Sequence, residues 1–479
     1  MILFTARGYF WLHGQAIPDN WLGPETGSVP GTLSIDDEGR IDLDLDGILS
    51  GEGNPPSQAI PAAPIQGILK TTQDDNKSWG NKPHVLLLGV YLNGSNFRSN
   101  GITYEKYFAE KCISSNICLG PSLDILFTDL SLDLDGYEEW LMVKLIDVTA
   151  PDTTTVAIYT PRDPDVYAID GGRLRMEYGC RRPMQRYRLH WEQFAKLTYT
   201  PSVPVGLDDI LVAYQACQDL LILLTDGHHG LEWPDMITSN AVQCRFYFHR
   251  NRNLDRSMHY GMYPVGFSSV RDNFGDVWSD WIRVRNDLGP GAYLYLGTRK
   301  GVALYPENRF VNLIWGIESL HRKVVGDQPT PQAPVHAKVK RILERINDAR
   351  DKKWLERQLQ NATEPTLAER IYQVFQCLPL RIEEVKLRDF SERCAKRRND
   401  ISHYGGQRHD GNYDEFVKGL IKESEALSIL YHAYLLHRIG VGDKILAHWI
   451  HAGPLSFHKK RVLVANGLLE PEQDEAPIS

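Results

Sequence analysis

Cysteine is scarce in this sequence, and positive charge is in deficit. The seven cysteines stand at 112, 118, 180, 217, 244, 377 and 394, an odd count without paired short spacings. That pattern argues against a disulfide framework and predicts reduced thiols packed as small hydrophobes. Cys112 and Cys118 are separated by five residues, which is not a zinc-knuckle spacing, and no second pair follows at a matching distance. Apolar runs are short, and the opening MILFTARGYFWLHG is too brief and interrupted for a signal-peptide core. A cytoplasmic protein without membrane contact is therefore expected. Lys and Arg number 53 against 61 Asp and Glu, for a net charge of −8, so any RNA contact must come from a local patch. A Walker loop, a dinucleotide glycine fingerprint and an HExxH motif are all missing. No cofactor and no metal are expected.

Core-forming residues are plentiful. The chain is 42% hydrophobic and holds 11 Trp, 22 Tyr and 15 Phe, ample for packed cores, and 479 residues suit two or three domains. Residues 1–150 read as β-rich, with Ile2-Leu3-Phe4 and Val85 to Leu92 as apolar runs between turn signals such as Asn93-Gly94 and Asn100-Gly101. Arg40 to Leu49 alternates apolar and acidic residues, as does Leu132 to Asp135. Both predict half-exposed strands whose acids are a solvated face.

Residues 151–300 continue as mixed β and α. Strands are predicted at Thr154–Tyr159, Arg173–Tyr178 and Val242–Phe248, and a buried helix at Leu207–Thr225. Arg173, Arg175, Arg181, Arg182, Arg186 and Arg188 interleave with Tyr178, Tyr187 and Trp191. Such a stretch suits RNA or an acidic protein trigger, or else arginines paired with neighbouring acids, which is the favoured reading. His228 and His229 make no metal spacing with Asp226 and Glu232. Trp278 and Trp281 recur at helical spacing, as core rather than as a base-stacking platform.

From Pro306 the pattern turns helical. Phe310, Leu313, Ile314, Ile317 and Leu320 mark one apolar face, and Gly326 to Pro334 reads as a loop. A charged amphipathic stretch runs from Val339 to Leu359, and Thr366 with Glu369 fits a capping box. Tyr413 to Ile439 is the longest helix. Beyond Gly440 only Asp443–Ile450 reads as amphipathic. A basic cluster follows at His458 to Arg461, suited to RNA-backbone contact or, as the favoured reading, solvated charge, and then an acidic end.

One stretch organises the helical half: Glu384 to Gly406. Leu387, Phe390, Cys394 and Ile401 form one helical face, and Gly405-Gly406 ends it. At roughly 100° per residue, Arg398 falls at the edge of that face, where a guanidinium needs an anionic partner. A helix continued to His403 would aim that imidazole roughly 140° away from Arg398. Either the helix ends first, or the two side chains meet partners on another chain.

The run Arg398-Asn399-Asp400-Ile401-Ser402-His403 resembles the signature of the HEPN ribonucleases, and its Arg-Asn start and His-Tyr-Gly-Gly finish resemble the ApeA-like branch. Gly8 to Leu12 and Val29 to Leu33 resemble the N-terminal domain that accompanies it. The resemblance implies an α+β protein with four parts: a β-rich ApeA-like domain (1–150), its mixed continuation (151–300), a HEPN helical bundle (301–440) and a C-terminal extension (441–479). It also implies a homodimeric, metal-independent endoribonuclease with Arg398, His403 and Asn399 as catalytic residues. Asp400 suits that role poorly, because a second anion would repel phosphate. Glu318 either braces Arg398 or pairs on its own helix with Arg322. The expected role is abortive-infection defence, cutting cellular RNA such as tRNA, with the N-terminal half sensing a phage-derived protein or restraining the nuclease. Two rival readings remain at this point. One is a catalytically silent HEPN module binding RNA, nucleotide or protein; the other is a carbohydrate- or protein-binding β-rich half that the helices merely dimerise.

Overall fold

The computed structural model describes residues 2–14, 28–49, 63–69, 83–96, 103–119, 123–150, 154–182, 184–185, 187–227, 230–250, 263–300, 304–325, 333–359, 364–404, 406 and 412–471. Asn100-Gly101, Arg186, His228, His229, Gly405 and the acidic end after Pro471 lie outside them. The chain gathers into two compact units: residues 1–218 with 228–258 and 273–275, and residues 219–227 with 259–272 and 276–479. The architecture is α+β, strand-rich first and helical after about residue 300.

In the first unit, six antiparallel strands close into a barrel: β1 (Ile2–Leu12), β2 (Val29–Asp36), β3 (Ile41–Leu45), β4 (Ile65–Leu69), β5 (His84–Asn96) and β6 (Tyr104–Ser115). Their order is β6-β3-β2-β1-β4-β5, and β5 pairs back onto β6 to shut the ring, so the barrel has no free edge. Period-two alternation makes this possible. Ile41, Leu43 and Leu45 point inward with Phe10, Leu33, Ile65, Leu87 and Val90, while Asp42, Asp44 and Asp46 face out and pair with Arg40, Lys106 and Arg7. These acids are a solvated face, as their alternation predicts. Gly8 and Gly31 sit opposite each other across β1 and β2. Each lacks room for a side chain, since a Cβ on Gly31 would stand 2.6 Å from the Asp44 carbonyl oxygen.

The sheet continues from β6 through β7 (Phe127–Asp133) and later strands. After the short helix α1 (Glu138–Leu141) come a hairpin of β8 (Ile146–Thr149) and β9 (Val156–Tyr159), then β10 (Asp165–Ile169) and β11 (Gly172–Arg181). A second small hairpin, β12 (Met184–Gln185) with β13 (Arg188–Leu189), precedes β14 (Glu192–Pro201). Helix α2 (Leu207–Thr225) leads to β15 (Asp235–Thr238) and β16 (Gln243–Phe248), giving the order β10-β11-β14-β7-β15-β16-β6. Three arginines of this stretch have partners within the same unit. Arg175 pairs with Glu177, Arg181 reaches Asp133 and Asp135, and Arg182 stacks 3.9 Å over Tyr159.

The second unit is helical. It includes α3 (Phe267–Val270), most of α4 (Phe274–Leu288), α5 (Pro290–Gly297) and α6 (Pro306–Val324). Trp278 and Trp281 of α4 are buried, so that stripe is core. The single stretch expected at Val339–Leu359 is two helices, α7 (Ala333–Leu343) and α8 (Ala349–Gln358). They are separated because Asp348 caps the second, accepting from the amides of Arg350 and Asp351. Pro334, expected in the loop, instead stands in the first turn of α7, where its missing N–H costs nothing. Next come α9 (Leu367–Phe375), α10 (Glu384–Tyr404) and α11 (Tyr413–Arg438). Thr366 caps α9 as the sequence predicts, its hydroxyl accepting from the Glu369 amide. Two helices close the unit, α12 (Asp443–His451) and α13 (Ser456–Ala465). The second was missing from the sequence reading, because its buried positions include Lys459, which hides the apolar stripe. Among the described residues no helix is long and apolar enough to cross a membrane.

Candidate active site

Helix α10 carries the site. Leu387, Phe390 and Cys394 are buried, with Ser391 hydrogen-bonded back to the Leu387 carbonyl, so the face read from the sequence is the packed one. Ile401 is only half-buried, because it lies in the last turns where the packing thins. The helix does not stop before the motif ends: it runs through His403 to Tyr404. That overturns the expectation of a helix ending before His403, and Arg398 and His403 stand turned well apart on one continuous helix.

Two adjacent arginines divide the work. Arg397 turns toward α11, where its guanidinium meets both carboxylate oxygens of Glu423 at 2.6 and 3.0 Å and lies over the Phe416 ring at 5.4 Å. Glu423 is almost fully buried, which such a bidentate partner allows. Gly419 makes the room, since a Cβ there would stand 2.9–3.0 Å from the Arg397 guanidinium. The sequence reading missed this pair. Its only signal was a glycine inside an otherwise regular helix, which costs roughly 1 kcal/mol against alanine without a packing reason.

Arg398 turns the other way, toward α6. Its Nη2 stands 3.6 Å from the Glu318 carboxylate and its Nη1 donates to Asn399 Oδ1 at 3.2 Å, while its Nε is buried without a partner. Glu318 also accepts from Arg322 one turn along α6 at 3.3 Å. Both roles open to Glu318 from its spacing are thus realised at once. Behind it, Arg322 approaches Glu364, and Glu364 binds the buried Arg370 at 2.8 Å. Arg370 in turn caps the Pro365 carbonyl and touches His321. The result is an alternating ladder of charge: Arg370, Glu364, Arg322, Glu318, Arg398. It fixes the guanidinium while leaving part of its donor fork unused.

His403 stands exposed in the last turn of α10, and no hydrogen bond holds it within the described residues. Asn399 is exposed beside Arg398, and Asp400 is half-buried. The arrangement offers a braced cation on one side of the helix and an accessible imidazole on another. Among the described residues, no three His, Cys, Asp or Glu side chains come together as a metal ion would require.

A family model described as ApeA N-terminal domain 1 matches residues 5–281, more than half of the chain, and a second, described as Apea-like HEPN, matches residues 311–444. The chain belongs to the ApeA-like HEPN family. HEPN domains are typically ribonucleases, commonly dimerise and bind RNA, and ApeA is implicated in defence. The HEPN match spans α6 to α11 and so contains Glu318, Arg397, Arg398, Asn399, His403 and Glu423. No curated protein and no solved structure matches the chain.

Proposed function

We propose that this HEPN domain is a metal-independent endoribonuclease that works as a homodimer and cuts cellular RNA, tRNA foremost, in abortive-infection defence against phage. The observation that carries the reading is the state of the motif: an Arg398 braced by Glu318 and Asn399, five residues before an exposed His403 on the same helix.

RNA supplies its own nucleophile, the 2′-hydroxyl beside the scissile phosphate. His403 takes the 2′-hydroxyl proton as the O2′–P bond forms, a role suited to an imidazole because its unperturbed pKa lies near ~6.5. Arg398 places its free N–H donors on the non-bridging oxygens, where negative charge grows in the phosphorane. Asn399 orients the phosphate or the imidazole. The P–O5′ bond then breaks and the 5′-oxygen takes a proton from an imidazolium of either protomer. The products are a 2′,3′-cyclic phosphate and a 5′-hydroxyl. Because Arg398 and His403 diverge by roughly 140° on a straight helix, a two-fold axis is the simple way to bring the groups of two protomers into one cleft. The strand-rich half serves as sensor of a phage-derived protein or as restraint on the nuclease.

Replacing Arg398 or His403 by Ala should abolish RNA cleavage while melting temperature and dimerisation stay unchanged. Undiminished cleavage by either variant would refute the assignment.

A further inference from the structure

Within the segment matched by the HEPN model, α7 and α8 form a two-helix arm between α6 and α9 that the mechanism above does not use. None of residues 337–359 is buried. Helices this short are marginal in water without packing, so the arm is short of a partner. Its charge says what kind. Residues 333–359 carry eight Lys and Arg against four Asp and Glu, a surplus of four positive charges in a chain whose net charge is −8. The residues that join the arm to its neighbours, 326–332 and 360–363, hold one acid, Asp327.

Helical spacing sorts these charges on α8. Lys352, Leu355 and Leu359 (its C-cap) are half-buried and recur at i, i+3 and i+7, which gives the helix one packed side. Arg350, Lys353, Trp354 and Arg357 are all exposed and fall within roughly 100° of arc on the opposite side. The acids Asp351 and Glu356 lie outside that arc. Trp354 stands one turn after Arg350 and one turn before Arg357, and it is 62% exposed. Among the described residues, no ion pair or hydrogen bond engages the side chains of Arg350, Lys353, Trp354 or Arg357. The root of the arm is tied to the site. Arg322, near the end of α6, stands 3.7 Å from Glu364, which precedes α9, and both belong to the ladder that braces Arg398.

We propose that this stripe is a substrate-binding surface that grips RNA away from the scissile linkage, with its three cations on phosphates and the Trp354 indole on an unpaired base. Cations that track the backbone, with an aromatic ring among them, are how proteins hold single-stranded nucleic acid. A second copy of the chain fits this face less well, because a two-fold contact would set the same three cations against themselves. An acidic protein surface would meet the cations but has no need of the indole between them. The arm sets substrate affinity, while Arg398 and His403 perform the chemistry. The inference rests on the ribonuclease reading for its substrate, and the test separates the two.

The test uses the full chain with two sets of substitutions: Trp354→Ala alone, and Arg350→Gln, Lys353→Gln and Arg357→Gln together. Fluorescence anisotropy with a labelled single-stranded RNA is run in the His403→Ala background, so binding is read without cleavage. Trp354→Ala should raise Kd roughly fivefold or more. Trp354→Phe should keep most of the affinity, whereas Trp354→Leu, apolar but unable to stack, should not. The triple substitution should raise Kd about tenfold or more. It should also make the slope of log Kd against log salt shallower by about 2, since each phosphate contact on a single strand contributes roughly 0.7. In the otherwise native protein KM should rise by similar factors while kcat stays within twofold. No altered side chain is buried, so melting curves should match the parent. Unchanged Kd and salt slope beside normal cleavage would overturn the arm and leave the nuclease standing. Arm-dependent binding by a chain that never cleaves would support the arm and sink the nuclease. Unchanged Kd with dimers lost in sedimentation would assign the face to a second copy, and unchanged Kd with a lost response to infection would assign it to an acidic protein; either would overturn the proposal.

Discussion

Arg397 and Arg398 are neighbours in sequence, yet their replacement by Ala should give opposite outcomes. Arg397 makes two short contacts to Glu423, whose side chain is 6% exposed. Removing the guanidinium strands a buried carboxylate, a change that costs roughly 3–5 kcal/mol when one partner of a buried pair is deleted. Arg397 is itself a quarter exposed, so water reaches the vacated site and the lower end, about 3 kcal/mol, applies. For a helical unit of this size that corresponds to a fall in Tm of roughly 6–12 °C. Arg398 makes a 3.6 Å contact to a carboxylate that is a quarter exposed, worth roughly 0–1 kcal/mol, so its loss should move Tm by less than about 4 °C. Scanning calorimetry and an RNA cleavage assay on both variants read the contrast. Arg397→Ala should melt early, whereas Arg398→Ala should melt with the parent and be inactive. Replacing Arg397 and Glu423 together by Met and Leu should recover most of the stability, since a packed apolar pair substitutes for a buried ion pair at little cost. Equal melting temperatures for the two single variants would show that the division of labour between these arginines is mistaken.

Three further outcomes follow from the geometry. Glu318→Gln keeps the shape but removes the charge facing Arg398, and should slow cleavage roughly tenfold with little change in Tm, read by single-turnover kinetics; an unaltered rate would remove Glu318 from the site. Burial pushes the His432 imidazole down to about 4 despite the nearby Asp226 carboxylate, with Nε2 donating to the Leu223 carbonyl and Nδ1 accepting from Tyr295. Its neutral form is favoured in the fold, so its contribution is present above pH 6.5 and is lost as pH falls toward 4, by about 2 kcal/mol at pH 5. Urea unfolding between pH 7 and 5 should therefore show a steeper loss for the parent than for His432→Gln, and parallel slopes would contradict this. Gly31→Ala sets a Cβ against the Asp44 carbonyl inside the closed barrel and should cost about 2 kcal/mol or more, measured by thermal unfolding of the full chain; an unchanged melting curve would mean β2 relaxes freely.

Local pattern carried much of the fold. The bounds of α2, the packed face of α10 and the cap of α9 follow from periodicity and capping chemistry, because each depends on residues a few positions apart. The barrel does not, since β1 must find β4 and β5 must close on β6 across intervening chain, and alternation is the same for open and closed sheets. At the site, Arg398 and His403 were legible as a spaced motif, and Glu318 as one of two roles. The ladder through Arg322, Glu364 and Arg370 was not, because it joins three segments that meet only in the folded unit. Arg397 was hidden by its neighbour: nothing in the string Arg-Arg-Asn tells which guanidinium faces Glu423. The basic cluster at His458 to Arg461 looked like uniform solvated charge, yet folding buries Lys459 and turns Lys460 and Arg461 into a groove.

The most direct measurement of the central claim is cleavage of total cellular RNA by the purified chain with chelator in excess, followed by mapping of the new ends. Cleavage that persists and leaves 2′,3′-cyclic phosphate and 5′-hydroxyl termini, and that disappears in Arg398→Ala and His403→Ala, is the predicted result. Intact RNA under activating conditions, or products bearing 3′-hydroxyl ends, would contradict it.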